Sequence, residues 1–328
     1  MRYVCAIDGG GTKTDCILCD DSGNILGWSR GGSANYQLAG MEAVKATIAS
    51  VIREALNMAG LVLDDISYAF MGMAGADSDK DHMLLSSSMG DIFGKVPYEI
   101  TNDCWIALSG GAPDGWGAVS VCGTGNNAAI KDEKGNRYIL RALQYEFGNY
   151  GGGNELIREA LHYAFRSDEG TGMATRLETR IPQLLHVADM QSVCDDMYAN
   201  GIDYDKMSGI VKLVFELANE GDAACQEILI KMGRIVGEML GGFIERVGLH
   251  KSHIPIVLAG SLYNKAESML LRDSLILTIR KKVPDFTIIL FRDPPVIGSA
   301  YEALKRINAA VNNDVIDNIK CNMVKYGL

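Results

Sequence analysis

At 328 residues the chain is long enough for two domains of ordinary size, and 48% hydrophobic with 22% charged residues is a globular balance. The net charge of −10 argues against nucleic-acid or membrane partners, so a phosphate site has to be built from local amides and a metal ion. We expect no signal peptide or membrane span, and the eight scattered cysteines favour a reduced, cytoplasmic protein.

The first motif is a glycine turn between two apolar strands predicted over 3–7 and 16–19. It reads Asp8-Gly9-Gly10-Gly11-Thr12-Lys13-Thr14. Three consecutive glycines leave backbone N–H groups open to an anion, Thr12 adds a hydroxyl and Lys13 a charge. Asp8 could hold a metal ion. The alternative is a glycine-rich hairpin without a ligand. The turn is neither a Walker A loop nor a dinucleotide fingerprint, because the next segment is a strand.

Helices and strands alternate through the rest of the first half. Apolar residues at a 3.6-residue period predict a helix over 41–59, which Gly60 ends. Strands are predicted over 25–29, 66–71 and 96–101, and helices over 77–88 and 104–109. Asp103 lies between the last strand and the last helix, where it could be a catalytic base or an N-cap, although Asn102 could cap instead.

After a break over 110–115 the pattern restarts, which predicts domains 1–112 and 113–328. Strand, Gly/Thr turn, strand, acidic-Gly turn and strand recur, with the second turn at Gly123-Thr124-Gly125-Asn126-Asn127. The second half adds helices over 155–165, 189–199, 204–219 and 222–247. Strands at 118–122, 128–131, 137–142, 256–259 and 286–290 and helices at 267–281, 296–307 and 314–325 complete it. The last helices are expected to pack back on the first domain.

This duplication predicts two α/β domains that face each other across a cleft, with both turns clamping phosphate groups. Gly260 and Ser261, after the strand at 256–259, would form the wall of a base site. Phosphoryl transfer needs cradled phosphates, a metal ion and a base for the acceptor hydroxyl. The turns supply the first, Asp8 is the candidate for the second and Asp103 for the third. Asp293 precedes its helix as Asp103 does, and a structural role is favoured there.

Four polar or glycine positions are candidates for the acceptor site. Asn35 and Asn127 offer neutral donor and acceptor groups that suit a sugar hydroxyl or acetamido group, and each could equally be an ordinary loop residue. The run 147–155 contains Gly148 and Asn149 and suits a ligand-facing loop. Its alternative is a flexible connection.

Together the motifs resemble the N-acetylglucosamine kinase and BadF-type ATPase family of the actin-like ATPase superfamily. Asp8 to Asp15 resembles the first phosphate motif, Asn102-Asp103 the segment of the catalytic aspartate, and Gly123 to Asn127 the second phosphate motif. Leu258-Ala259-Gly260-Ser261 resembles the adenosine motif. The resemblance implies two actin-like, ribonuclease H-like domains with a helical insertion in the second, ATP and Mg²⁺ in the cleft, and an amino-sugar acceptor.

The loop at 147–155 departs from this family's sugar kinases, which usually read Gly-Asp-Glu-Gly-Ser there, so the aspartate that binds sugar hydroxyls is missing. We expect a kinase of an amino sugar such as N-acetylglucosamine or a relative, and the apolar helices of the second half predict a homodimer. Two alternatives stay open. One is a BadF-type activator ATPase acting on a protein partner, with Cys122 as its suggestive cluster ligand. The other is a sugar sensor without turnover.

Overall fold

The computed structural model describes residues 1–112, 114–141, 145–264 and 268–327. The predicted domain boundary at 113, the strand end at 142 and the helix start at 267 lie outside these residues. Within them the strands are β1 (Tyr3–Gly9), β2 (Thr14–Asp20), β3 (Ile25–Gly31), β4 (Ile66–Met73), β5 (Tyr98–Asn102), β6 (Gly117–Cys122), β7 (Asn126–Lys131), β8 (Arg137–Ile139), β9 (Ile254–Ala259) and β10 (Phe286–Leu290).

The helices of the same ranges lie between and after the strands. They are α1 (Tyr36–Ala39), α2 (Met41–Ala59), α3 (Asp79–Phe93), α4 (Asp103–Gly111), α5 (Gly153–Asp168), α6 (Leu177–Leu185), α7 (Met190–Asn200), α8 (Gly209–Asn219), α9 (Ala223–Arg246), α10 (Ser261–Asn264), α11 (Leu270–Arg280), α12 (Val296–Arg306) and α13 (Asn313–Tyr326). Across the described ranges, none of them has the length and apolarity that a membrane crossing requires.

The two halves share one sheet topology. The first five-stranded sheet has the order β3-β2-β1-β4-β5, and the second has the order β8-β7-β6-β9-β10. In each, three antiparallel strands are extended by two parallel ones. The duplicated α/β fold predicted from the sequence is therefore confirmed. Since each first strand ends in its glycine turn beside the end of a parallel neighbour, the functional motifs gather at one edge of each sheet.

A shared core lies between the sheets and contains α4 and α12. Residues of both sheets, α4, α12 and α13 form one buried cluster. The two helices approach so closely that a Cβ added to Gly298 would lie 1.8 Å from the carbonyl oxygen of Ile106. The hydroxyl of Ser299 on α12 also donates to the carbonyl of Ile7 on β1 at 2.8 Å. Helices α4 and α12, one from each half, thus hold the two sheets together and bring the ends of their strands close to one another.

The outer layers differ between the halves. In the first half α2 and α3 cover the sheet, and α2 has the predicted bounds, with its buried face at the predicted period and Gly60 in a left-handed conformation at its end. In the second half α5 to α9 and α11 form a larger core. The sequence missed α6, which contains Pro182. It also began α8 too early, because residues 204–208 form turns before Gly209.

Candidate active site

The first glycine turn joins β1 to β2 as predicted. The N–H of Gly10 donates to the carbonyl of Lys13 at 2.9 Å, and the carbonyl of Gly10 accepts from Ala34 at 3.0 Å. A Cβ added to Gly9 would lie 2.5 Å from the sulfur of Met73, whereas one on Gly11 would meet only Leu38, at 3.9 Å. Gly9 is therefore glycine because β4 lies close, while Gly11 borders open space where an anion could approach.

Lys13 has an intramolecular partner. Its ammonium lies 2.6 Å from Asp15, and the guanidinium of Arg30 lies 2.5 Å from the other oxygen of the same carboxylate. Asp15 is 1% exposed and pairs directly with Asp8 across the hairpin. Both cations therefore neutralise a buried acid beneath the turn. Lys13, half-exposed, lies at the place where the sequence predicted phosphate binding.

The second turn is supported by the start of α5. The N–H groups of Gly153 and Asn154 donate to the carbonyls of Gly123 and Thr124 at 2.8 and 3.1 Å. A Cβ on Gly152, whose φ is +96°, would lie 2.5 Å from the backbone of Gly125. The glycine run after Tyr150 thus permits close packing of two backbones. The positive end of the α5 dipole consequently lies against the predicted phosphate turn.

The two turns meet across the cleft. The hydroxyls of Thr12 and Thr124 are 3.2 Å apart, although 112 positions separate them in the chain. Both residues are exposed, and Gly125 has no atom within 4 Å of an added Cβ. Hydroxyl and backbone donors from both halves therefore surround one accessible place, which is the arrangement expected of a phosphate clamp.

Asp103 is the first residue of α4, and Asn102 caps that helix. The side-chain oxygen of Asn102 accepts from the N–H of Cys104 at 2.9 Å. The Asn102 amide also donates to the carboxylate of Asp77 at 2.8 Å. Because Asn102 performs the capping, the carboxylate of Asp103 is available for chemistry.

Three carboxyl groups in this region have raised pKa values. Burial raises the pKa of Asp8 to about 7, and the charges of Asp103 and Asp15 act in the same direction. Burial also raises the pKa of Asp103 to about 6, against the backbone N–H groups of Cys104 and of Asp103 itself. Burial and the charge of Asp103 raise the pKa of Asp77 to about 6. Raised carboxyl pKa values in a cleft are typical of acid–base and cation sites.

A divalent cation fits the environment of Asp8. Its carboxylate is 9% exposed and is disfavoured in its charged form by nearby acids, so an added positive charge would stabilise that form. Among the residues that the structure describes, no three acidic, histidine or cysteine side chains converge as a ready-made metal site. Asp8 would therefore share the ion with water and substrate phosphates, as is common for Mg²⁺.

The candidate acceptor residues lie around the cleft and also have structural partners. Asn35 caps α1 by accepting from the N–H of Gln37 at 2.9 Å, and its side-chain oxygen would lie 2.9 Å from a Cβ on Gly75. The side-chain oxygen of Asn127 accepts from the N–H of Ala128 at 2.7 Å. The amide nitrogen of each side chain has no such bond among the described contacts, and it is the group a ligand could use.

The loop at 145–155 is anchored to the second turn. The side chain of Asn149 donates to the carbonyl of Asn126 at 2.9 Å and accepts from the N–H of Tyr150 at 3.0 Å. Tyr150 is 5% exposed, whereas Gly148 is exposed with φ +87°. Phe147 and Gly148 border a cavity of about 710 Å³ that extends to α9. Asn149 thus has a clear structural role, while Gly148 faces open space.

Gly260 and Ser261 lie where β9 meets α10. Gly260 has φ +103°, and an added Cβ would lie 2.3 Å from the carbonyl oxygen of Cys122. Ser261 is exposed. Gly260 therefore lets the end of β9 lie directly against the second turn, and the predicted base wall is adjacent to the predicted phosphate site.

Two acidic residues of this region were missed in the sequence as functional candidates. Asp15 lies within the motif, on a strand whose seven residues are all buried. Asp77 follows β4, whose end lies beside the end of β5 and hence near Asp103. The rule that parallel strands end at one edge could have identified Asp77.

Comparison with known proteins gives one family match. The model of the BadF/BadG/BcrA/BcrD ATPase family matches residues 6–303, which is most of the chain. This range contains both glycine turns, Asp103 and Gly260.

Individual relatives are similar over most of their length. An N-acetyl-D-glucosamine kinase of Dictyostelium discoideum is 26% identical over 315 residues, covering 91% of this chain and 96% of that protein. An N-acetylmuramic acid/N-acetylglucosamine kinase of Clostridium acetobutylicum is 25% identical, covering 80% and 86% respectively. Among solved structures, a Chromobacterium violaceum protein provisionally named N-acetylglucosamine kinase has a TM-score of 0.71 at 19% identity, covering 93% of this chain and 99% of that one.

Proposed function

Because the chain belongs to the BadF/BadG/BcrA/BcrD ATPase family, we propose that it is an ATP-dependent kinase that phosphorylates a hydroxyl of an amino sugar such as N-acetylglucosamine or a close relative. The observation that carries the proposal is the meeting of the two glycine turns. Thr12 and Thr124 lie 3.2 Å apart on opposite halves, beside a sheet edge that holds Asp8 and Asp103. Phosphate donors from two halves and a carboxylate base are what phosphoryl transfer requires.

The acceptor hydroxyl is activated by Asp103. Its carboxylate is held at the start of α4, and a pKa of about 6 leaves it mostly ionised at neutral pH and basic enough to accept a proton. Asn35 and Asn127 orient the sugar through their side-chain amides, beside Gly148 and Asn149. As the acceptor oxygen attacks the γ-phosphate, its proton passes to Asp103 and ADP leaves.

The glycine turns bind the nucleotide. The turn at Gly9, Gly10 and Gly11 contacts phosphate oxygens on one side through N–H groups other than that of Gly10, which is bonded to Lys13, together with the Thr12 hydroxyl and the Lys13 ammonium. Gly123, Thr124 and Gly125 contact them on the other, and Gly260 with Ser261 lines the adenosine site. Residues 1–112 and 113–328 act as the two domains, whose approach excludes water from the γ-phosphate.

Mg²⁺ is the metal ion proposed for Asp8. When bound, the ion neutralises phosphate charge and orients the transferred group. The buried carboxylate of Asp8, next to acids that disfavour its charge, is suited to hold it directly or through water.

A sugar-dependence assay tests the proposal. Purified protein is given Mg²⁺ and ATP with a panel of acceptors, including N-acetylglucosamine, N-acetylmuramic acid, glucosamine and glucose. ADP release is coupled to NADH oxidation, and the product is identified by mass spectrometry. We expect ADP release to depend on an amino sugar and to match sugar phosphate formed one to one. ATP hydrolysis that no sugar accelerates would contradict the proposal.

The activator alternative has no support in the described cysteines. It singled out Cys122 as a cluster ligand, but that thiol is fully buried, and only Cys194 and Cys321 of the eight cysteines are exposed. A cluster shared between subunits needs accessible thiolates beside the site. The sensor alternative predicts sugar binding without ATP turnover. Sugar-dependent ADP release in the same assay would therefore exclude it, and a lack of such release would favour it.

We also propose that the protein is a homodimer. Support comes from apolar side chains exposed on helices of the second half, including Tyr198 at 95% and Leu277 at 66% exposed. Light scattering after gel filtration should then give twice the chain mass at micromolar concentration, and a single-chain mass would contradict this proposal.

A further inference from the structure

Asp77 lies in the loop between β4 and α3, outside the motifs that identify the site. The loop packs against the acceptor side of the cleft. Gly75, with φ +84°, accepts from the side chain of Gln37 at 3.4 Å and lies against the side chain of Asn35. Residues of this loop are therefore neighbours of a candidate sugar contact, although Asp77 itself is oriented toward β5.

The partner of Asp77 is the amide of Asn102. This side chain is 1% exposed and makes two bonds of defined direction. Its nitrogen donates to Asp77 at 2.8 Å, and its oxygen accepts from the N–H of Cys104 at 2.9 Å. A carboxylate can only accept, so the charged form of Asp77 determines which way the amide of Asn102 faces.

The orientation of Asn102 in turn determines where α4 begins. Its oxygen satisfies an N–H of the first turn of the helix, and Asp103 is the residue between the cap and Cys104. Without an acceptor at Asp77, the buried nitrogen of Asn102 would lack a partner, and reversal of the amide would remove the cap. Either change would displace the backbone that carries Asp103.

We propose that Asp77 is a positioning residue for Asp103, acting through the side chain of Asn102. The proposal rests on the proposed kinase reaction, in which Asp103 accepts the proton of the acceptor hydroxyl. Misplacement of a base by about 1 Å is enough to lower a rate by up to about a hundredfold, while binding of ATP at the glycine turns does not depend on it.

The experiment compares Asp77→Ala, Asp77→Asn and the control Asp79→Ala. Asp79 is an exposed acid two positions further on, in the first turn of α3, so its removal matches the loss of charge without touching Asn102. We expect Asp77→Ala to lower kcat about tenfold or more with the KM for ATP unchanged. Asp77→Asn keeps an acceptor oxygen and should stay within about threefold of wild type, as should the control.

A second measurement is independent of activity. In Asp77→Ala, hydrogen exchange of the Cys104 amide should become at least about tenfold faster, while Asp77→Asn and Asp79→Ala should leave it near wild type. If neither the wild-type protein nor any variant shows sugar-dependent turnover, the kinase proposal fails. The exchange data would still test whether Asp77 holds the start of α4 through Asn102.

Two results would overturn the proposal. One is an Asp77→Ala protein whose kcat equals that of the Asp79→Ala control. The other is an Asp77→Asn protein as impaired as Asp77→Ala, with Cys104 exchange at the wild-type rate, because charge rather than the bond to Asn102 would then be responsible. If Asp77→Ala does not fold, an impaired Asp77→Asn protein with Cys104 exchange at the wild-type rate would still overturn the proposal.

Discussion

The two halves of the molecule share a sheet order but differ in charge at equivalent positions. The residue before the first glycine turn is Asp8, and the residue before the second is Cys122, whose pKa burial raises to about 12. Asp103 begins the helix after β5, and Asp293 precedes the helix after β10. Asp103 is free of a salt bridge in the described residues, whereas Asp293 lies 3.0 Å from Lys320 on α13.

The difference fits the two tasks that the proposed reaction assigns to the two halves. The first half has carboxyl groups with raised pKa values at its sheet edge, which under the proposed mechanism bind a cation and accept a proton. The second half has a neutral thiol and a paired acid there, so its edge can lie against an anionic nucleotide without repulsion. A clamp needs both turns, but proton transfer needs only one base.

The largest expected effect is a difference between the aspartates at the two equivalent positions, Asp103 and Asp293. We expect Asp103→Asn to lower kcat by about 10³-fold, because the amide cannot accept the proton of the acceptor hydroxyl. Asp293→Asn removes only a partly exposed ion pair and should change kcat by less than about twofold. Steady-state kinetics on both variants check this pair. Equal losses would mean that the equivalent positions share one structural role.

A smaller effect concerns Asp8, whose raised pKa has a consequence for stability. Between its usual pKa of 3.8 and about 7, the folded state keeps a proton that the unfolded state releases. The contribution of Asp8 to the free energy of unfolding therefore falls as the pH rises through this window. The fall is at most about 4 kcal/mol, since each pKa unit corresponds to about 1.4 kcal/mol.

Urea unfolding at pH 5 and pH 8, without nucleotide, measures that contribution. Relative to wild type, Asp8→Asn should be more stable at pH 8 than at pH 5, since its amide carries no charge, and it should lose Mg²⁺-dependent turnover. The same stability difference at both pH values would contradict a raised pKa at Asp8. Cys122, the counterpart of Asp8 in the second half, is neutral throughout this range, so we expect it to add no pH dependence to the free energy of unfolding.

The smallest effect tests whether the two turns contribute alike. Thr12→Val and Thr124→Val keep side-chain shape and remove one hydroxyl each. A hydrogen bond to a charged phosphate contributes about 1.5–3 kcal/mol, so we expect each variant to raise the KM for ATP at least about tenfold, with the acceptor KM unchanged. ATP titrations at saturating sugar measure this. If only one variant responds, nucleotide binding depends on one half, and the clamp is not shared.

Much of the fold could be predicted from sequence because its signals are local. The 3.6-residue period placed α2 with correct bounds, and the glycine turns lay between the predicted strands. The recurrence of one order of elements predicted two equivalent sheets. The predictions were wrong at α6 and at the start of α8, where a proline and a set of turns are tolerated because the insertion core packs over them.

The sequence by itself determined most of the elements, the duplication and the order of the motifs, since periodicity and turn chemistry act over a few residues. Only the tertiary structure decided which polar groups are available. Lys13 pairs with Asp15, Asp293 pairs with Lys320, and Asn102 caps α4 while bonded to Asp77. The physical reason is that a buried polar group has to be paired, and its partner is selected by the packing of strands and helices that lie far apart in the chain.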